Sequence, residues 1–151
     1  MLSDLYSGKI LEAAAAIPPA RRLANPDASA TRTSRVCGSQ VAVDIAMKDG
    51  VVADFGMEAK ACALGQASSS ILARNIVGAG ADELYALRDR MRAMLKEGGD
   101  PPKGERWKDL ESLIAIRDYP QRHASTMLVF EAVCACLDAL QLRPNGAVAK
   151  A

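Results

Sequence analysis

Residues 41–57, VAVDIAMKDGVVADFGM, constrain the fold more than any other stretch of the chain. Val41, Val43, Ile45 and Met47 alternate with Ala42, Asp44, Ala46 and Lys48, the period of a strand with one buried face. Asp49-Gly50 follows, a dipeptide suited to the positive φ angles of a two-residue hairpin turn. Beyond it Val51, Ala53, Phe55 and Met57 resume the alternation. With the polar segment that precedes it, this predicts an α+β protein with a small three-stranded, mostly antiparallel sheet over about residues 29–59.

The sheet needs helices to cover its apolar face, and the rest of the chain offers them. Residues 3–16 begin with a Ser3/Asp4 cap signal, place Ile10 and Ala13 on one face, and meet Pro18-Pro19, where a helix must stop. Residues 21–30 read as loop. The small-residue stretch 62–77 and residues 81–97, with Leu84, Leu87, Met91 and Leu95 on one stripe, predict two helices separated by Gly78 and Gly80. Gly98 to Pro102 ends the second. Residues 107–116 suggest a short helix and residues 120–140 a long one, apolar on two stripes and so buried on most of its circumference. The tail from about residue 142 is expected to fray. No linker separates two cores, so one domain over 1–151 is expected.

Charge excludes some functions. Nineteen basic and eighteen acidic residues leave +1, with no basic stripe, so nucleic acid is not an expected partner. The apolar run Ala13–Pro19 is too short for a membrane span, and the charged residues before it do not suit a signal peptide. A soluble cytoplasmic protein is expected, its four cysteines reduced.

Those cysteines differ by context. Cys134 and Cys136 lie two apart on a helix, about 200° around its axis, and cannot grip one ion together; as parts of apolar stripes they read as core filler. Cys37 precedes Gly38-Ser39 at a strand break, where glycine lets the chain turn and the thiol face outward. Cys62 stands where sheet hands over to helix, a position at which the helix dipole favours thiolate. The Cys37-to-Cys62 spacing matches no short zinc motif, so from spacing alone the two could equally be unrelated small apolar residues.

The stretch VCGSQVAVDIAMKDGVVADFGMEAKACALGQASSSILARNI, with LYSGKILEAAAAIPPARRL before it and YPQRHASTMLVFEAV after it, resembles the U-type iron–sulfur scaffold family: IscU, SufU and the N-terminal domain of NifU. Residues 96–118 fall where SufU-type members carry an insertion, so the SufU branch is the closer comparison. The resemblance implies a Cys-Gly-Asp after the first strand and a Gly-Cys before the small-residue helix. It also implies a third cysteine at the start of the last helix. This chain has Cys37-Gly38-Ser39, Ala61-Cys62, and Ala124-Ser125 at those places. Cys37 and Cys62 are the retained ligands; Ser125 stands for the third, Ser39 for the aspartate beside the cofactor, and His123 is a further candidate ligand. Ser68 to Ser70 are read as packing residues.

The resemblance implies a non-enzymatic scaffold or sulfur/iron carrier that receives sulfur from a cysteine desulfurase. Iron or an iron–sulfur cluster would rest on Cys37 and Cys62 and pass to apo-protein acceptors. Zinc is the other metal that it allows. The alternative is a degenerate paralogue that keeps the fold as an interaction or regulatory protein and holds no cluster. A hydrolase has less support, with one histidine and no paired-carboxylate motif.

Overall fold

In the computed structural model, which describes residues 8–142, β2 (Gln40–Lys48) and β3 (Val51–Lys60) pair antiparallel across Asp49-Gly50. Asp49 has φ 54° and Gly50 φ 82°, the two positive values that a type I′ turn requires. β1 (Ala28–Thr33) pairs antiparallel with β2 on its other side, giving the order β1-β2-β3. The architecture is the α+β one expected.

The alternation in β3 does not run as its sequence suggests. Ala46 faces Asp54 but Met47 faces Val52, so Ala53 is an extra residue, a β-bulge. A bulge shifts the side-chain phase by one. Val52, Phe55 and Met57 are therefore buried, while Val51 and Ala53 are exposed.

The opposite face of β2 is not left to solvent either. Asp44 is 1% exposed, and Arg22 donates to its two oxygens from Nε and Nη2, both at 2.8 Å. The Leu23 amide (2.9 Å) and the Ser29 hydroxyl donate to the same carboxylate. The Arg22 guanidinium holds this carboxyl well below the usual carboxylate range. The segment so anchored crosses Gly56, where a Cβ would lie 2.8 Å from the Arg21 carbonyl oxygen; no larger residue fits without moving the backbone.

The first helix, α1, is described over Gly8–Ala15 and ends before the prolines; its expected Ser3/Asp4 start lies outside the described residues, as does the tail from residue 143. α2 is Ala63–Asn75, α3 Ala81–Lys96 and α4 His123–Ala139. Residues 105–118, expected in part as α-helix, form a 3₁₀ helix, Glu105–Asp118. Trp107, Leu110, Leu113 and Ile116 are its buried residues. Their spacing of three is the repeat of a 3₁₀ turn, which stacks them on one face; an α-helix would spread them. Arginines pin the segment at both ends. Arg106 donates to the carbonyls of Asn75 (3.2 Å), the last residue of α2, and Val77 (2.9 Å) just past it, and Arg117 to those of Met94 in the last turn of α3 and Gly99 past its end (both 2.8 Å). These bonds serve carbonyls that helix ends leave without partners.

α4 is the central helix, packed against β1, β2, α2 and α3. Cys136 reaches the sheet, its sulfur 3.9 Å from the Val43 carbonyl oxygen, while Cys134 reaches α3, 3.8 Å from that of Leu84. The two thiols are buried and diverge, as helical geometry predicts. Among the described residues no helix is long and apolar enough to cross a membrane.

Candidate metal centre

The turn between β1 and β2 builds the first half of the site. Ser34 N–H donates to Ser39 O and Gly38 N–H to Ser34 O, both at 2.8 Å, which closes a four-residue loop, Arg35 to Gly38. Gly38 takes φ 77°, a value that a side chain would disfavour. Cys37 is thereby carried to the exposed crest of the loop. Ser39, already back in the fold, is buried.

The second half comes from the β3–α2 junction. Cys62 is the residue before α2, extended at φ −68° and ψ 172°, and its side chain makes no capping bond. Ser39 joins the halves: its Oγ lies 3.1 Å from the Cys37 sulfur and accepts from the Cys62 amide at 3.4 Å. Ser125, in the first turn of α4, lies with its Oγ 3.7 Å from the Cys62 sulfur. It donates its own proton to the Arg122 carbonyl at 3.2 Å. Three separate stretches of the chain thus converge, bringing together Cys37 with Ser39, Cys62 and Ser125.

Small residues make the convergence possible. A Cβ on Gly65 would meet Ala61 at 2.9 Å and the Ser125 carbonyl oxygen at 3.2 Å, so the glycine admits the start of α4 against α2. Ser68 locks the same contact, donating to the Thr126 carbonyl at 2.9 Å, and has the packing role expected. The close approach is between helices more than between helix and sheet.

The surroundings favour a thiolate at Cys37. Its pKa is lowered chiefly by the Ser39 hydroxyl, with the Ser39 amide and the hydroxyls of Ser34 and Ser125 adding to it. Ser34 escaped the sequence reading. It is buried, and its hydroxyl makes no hydrogen bond in the resting arrangement, so its proton is available to an anionic sulfur. The spacing S-x-x-C-x-S was the available signal. Within three residues of Cys37, Cys62 or Ser125 the chain carries Arg35, Lys60 and Arg122 and no carboxylate.

His123 does not join this group. It is 4% exposed, and its Nε2 lies 3.0 Å from the Ile116 carbonyl oxygen and 3.1 Å from that of Arg117. Both are acceptors, so Nε2 must carry the proton. The ring ties α4 to the end of the 3₁₀ segment. Among the described residues, no three or more His, Cys, Asp or Glu side chains are grouped to hold a metal. The donor set at the tip is two thiols with serine hydroxyls around them.

Comparison with known proteins agrees with this fold. A family model described as the NifU-like N-terminal domain matches residues 2–126. A crystal structure of a nitrogen-fixing NifU-like protein (N-terminal) from Brucella abortus is 52% identical with a TM-score of 0.88, covering 93% of this chain and 96% of that one. A putative SufU scaffold from Fervidobacterium islandicum AW-1 shares the fold at TM-score 0.80 and 18% identity, covering 88% and 96%. The iron–sulfur cluster assembly scaffold IscU of Thermotoga maritima is 28% identical over 86 residues, 57% of this chain and 59% of that protein. The IscU of Streptococcus pyogenes serotype M1 is 24% identical over 97 residues, 64% and 60%. The chain spans about three-fifths of the length of these two relatives. On the strength of a family-model match across most of its length, the chain belongs to the NifU-like N-terminal domain family of U-type scaffolds.

Proposed function

We propose that this chain is a scaffold or carrier in iron–sulfur cluster assembly, holding iron or a cluster at Cys37 and Cys62. In this reading the cluster is cargo, and the protein holds it without turning over a substrate of its own. The observation that carries the reading is the convergence of two thiols from separate elements on Ser39 at an exposed tip, with the Cys37 thiolate favoured. Thiolates are the ligands that iron–sulfur clusters take. An exposed tip suits a cargo that must be received and given away.

Sulfur would come from a cysteine desulfurase, and the assembled group would pass to apo-protein acceptors; two relatives carry the name of cluster assembly scaffolds. A reducing cytoplasmic setting would keep both thiols available. Ser39 would sit beside the bound group, donating its hydroxyl proton to sulfur. Ser125 would contribute as a weak oxygen donor while its proton stays hydrogen-bonded to the Arg122 carbonyl, and His123, whose Nε2–H is held by the Ile116 and Arg117 carbonyls, only through Nδ1.

The second reading, an interaction protein without a cluster, draws on the small donor set. Metal and acid-labile sulfide analysis of untagged protein purified without oxygen separates the readings. Iron with sulfide supports the scaffold, zinc alone supports a zinc-stabilised sulfur acceptor, and neither supports the interaction protein.

A further inference from the structure

Among the described residues, the hydroxyls of Ser34 and Ser69 are buried without a hydrogen-bond partner. A buried hydroxyl left so destabilises the state that contains it. Ser69 lies within α2, about two turns beyond Cys62, in a stretch of small packing residues. Ser34 stands at the base of the loop that lifts Cys37. Its backbone is fully committed, the N–H donating to Ser39 O and the carbonyl accepting from Gly38 N–H, both at 2.8 Å. Only its side chain is left over, held in place and 96% buried, and close enough to the Cys37 sulfur to favour the anionic form.

The direction of the bonds at Cys37 explains why this hydroxyl is idle. In the empty protein the sulfur is a donor: Cys37 S–H points at Ser39 Oγ at 3.1 Å, and the Cys62 amide donates to the same oxygen at 3.4 Å. A thiol sulfur is a weak acceptor, so Ser34 gains little by turning to it. When a metal ion takes the sulfur, the thiol proton leaves to solvent. The sulfur then carries negative charge and can only accept, which is the partner that an idle O–H lacks.

We propose, resting on the scaffold reading above, that Ser34 is a positioning residue for the cargo, its hydroxyl held in reserve in the empty protein and donating to the Cys37 sulfur once iron is bound there. Ser39 turns its proton the same way, so loading reverses the hydrogen bonding at Cys37. Ser34 therefore stabilises the loaded state and not the fold itself. A donor on a ligating sulfur also draws charge from it, which raises the reduction potential of a cluster.

The test compares the full-length parent with Ser34→Ala and with Ser69→Ala, which removes the other idle hydroxyl away from the tip. The empty proteins are unfolded in urea. The same proteins, reconstituted anaerobically with ferric iron and sulfide, are followed for iron loss to a chelator and for reduction potential. Ser34→Ala should keep the parent's urea midpoint or exceed it, yet lose iron about fivefold faster and show a more negative potential. Ser69→Ala should match the parent in both loaded measurements. A lowered urea midpoint in empty Ser34→Ala would give the hydroxyl a structural role and overturn the proposal. So would iron loss and potential unchanged from the parent, or moved equally by Ser69→Ala; in each of these cases the scaffold reading stands. A parent that takes up no cluster would overturn both.

Discussion

Cys37 and Cys62 at the tip, and Cys134 and Cys136 in α4, are the same residue type in two opposite settings. At the tip, hydroxyls and an amide point at sulfur, and the Cys37 pKa falls. In the core, removal from water pushes the Cys136 thiol up to about 11, with the charge of Asp44 adding to the effect. A thiol's chemistry is decided by what surrounds its sulfur once the elements are placed, so the number of cysteines in a chain says little about how many of them can react.

The contrast breaks most directly under alkylation. Iodoacetamide at neutral pH should modify Cys37 at least about a hundredfold faster than Cys134 or Cys136, because the core pair reacts only when the fold opens. Peptide mapping against time checks this, and equal rates at all four would dissolve the distinction.

Asp44→Asn sharpens the core half. Losing the charge-assisted bonds from Arg22, Leu23 and Ser29 should lower stability by about 2 kcal/mol, read from urea unfolding at neutral pH. The sign of the pH dependence follows from the depressed carboxyl. Its contribution is fully present above the unfolded value of about 4 and is lost as pH falls below that toward the folded value. Parent and variant should therefore draw together in acid; a constant gap would mean that the Asp44 charge is not the cause.

Ser125→Cys sharpens the tip half. A third soft, anionic donor beside Cys62 should raise zinc affinity by roughly tenfold or more, measured by competition with a chromophoric chelator at fixed pH. The gain should vanish when Cys37 or Cys62 becomes Ala. An unchanged affinity would mean that the 3.7 Å approach of Ser125 to Cys62 does not make a shared site. The smallest effect expected is that of Ser39→Ala: the pH midpoint for Cys37 alkylation should rise and the rate at neutral pH fall by about threefold to tenfold, with Ser34→Ala changing it less.

What could be read from sequence was whatever is settled locally. Asp49-Gly50 fixes its turn by its own φ angles, and Gly38 does the same for the loop that lifts Cys37. The small residues of α2 permit a close approach, but nothing in them names the start of α4 as the partner. The errors arose where distant contacts decide. The bulge at Ala53 exchanges the faces of Val51 and Val52 for the sake of pairing with Met47, and the hydrophobic alternation alone cannot show it. The 3₁₀ segment was legible in principle, from the exact three-residue spacing of Trp107, Leu110, Leu113 and Ile116, but its stability rests on Arg106 and Arg117 reaching helix ends elsewhere. His123 looked available because a lone imidazole near a helix start has no visible partner in sequence; its partners are two backbone carbonyls that only packing brings to it.

The central claim is that the tip pair, and not the core pair, holds the cargo. The most direct measurement is the visible absorption and iron content of anaerobically reconstituted protein in two double variants, Cys37→Ala with Cys62→Ala and Cys134→Ala with Cys136→Ala, beside the parent. The first should lose the iron–sulfur chromophore and its iron while remaining folded by circular dichroism, and the second should keep both. A chromophore that survives removal of Cys37 and Cys62 would contradict the account.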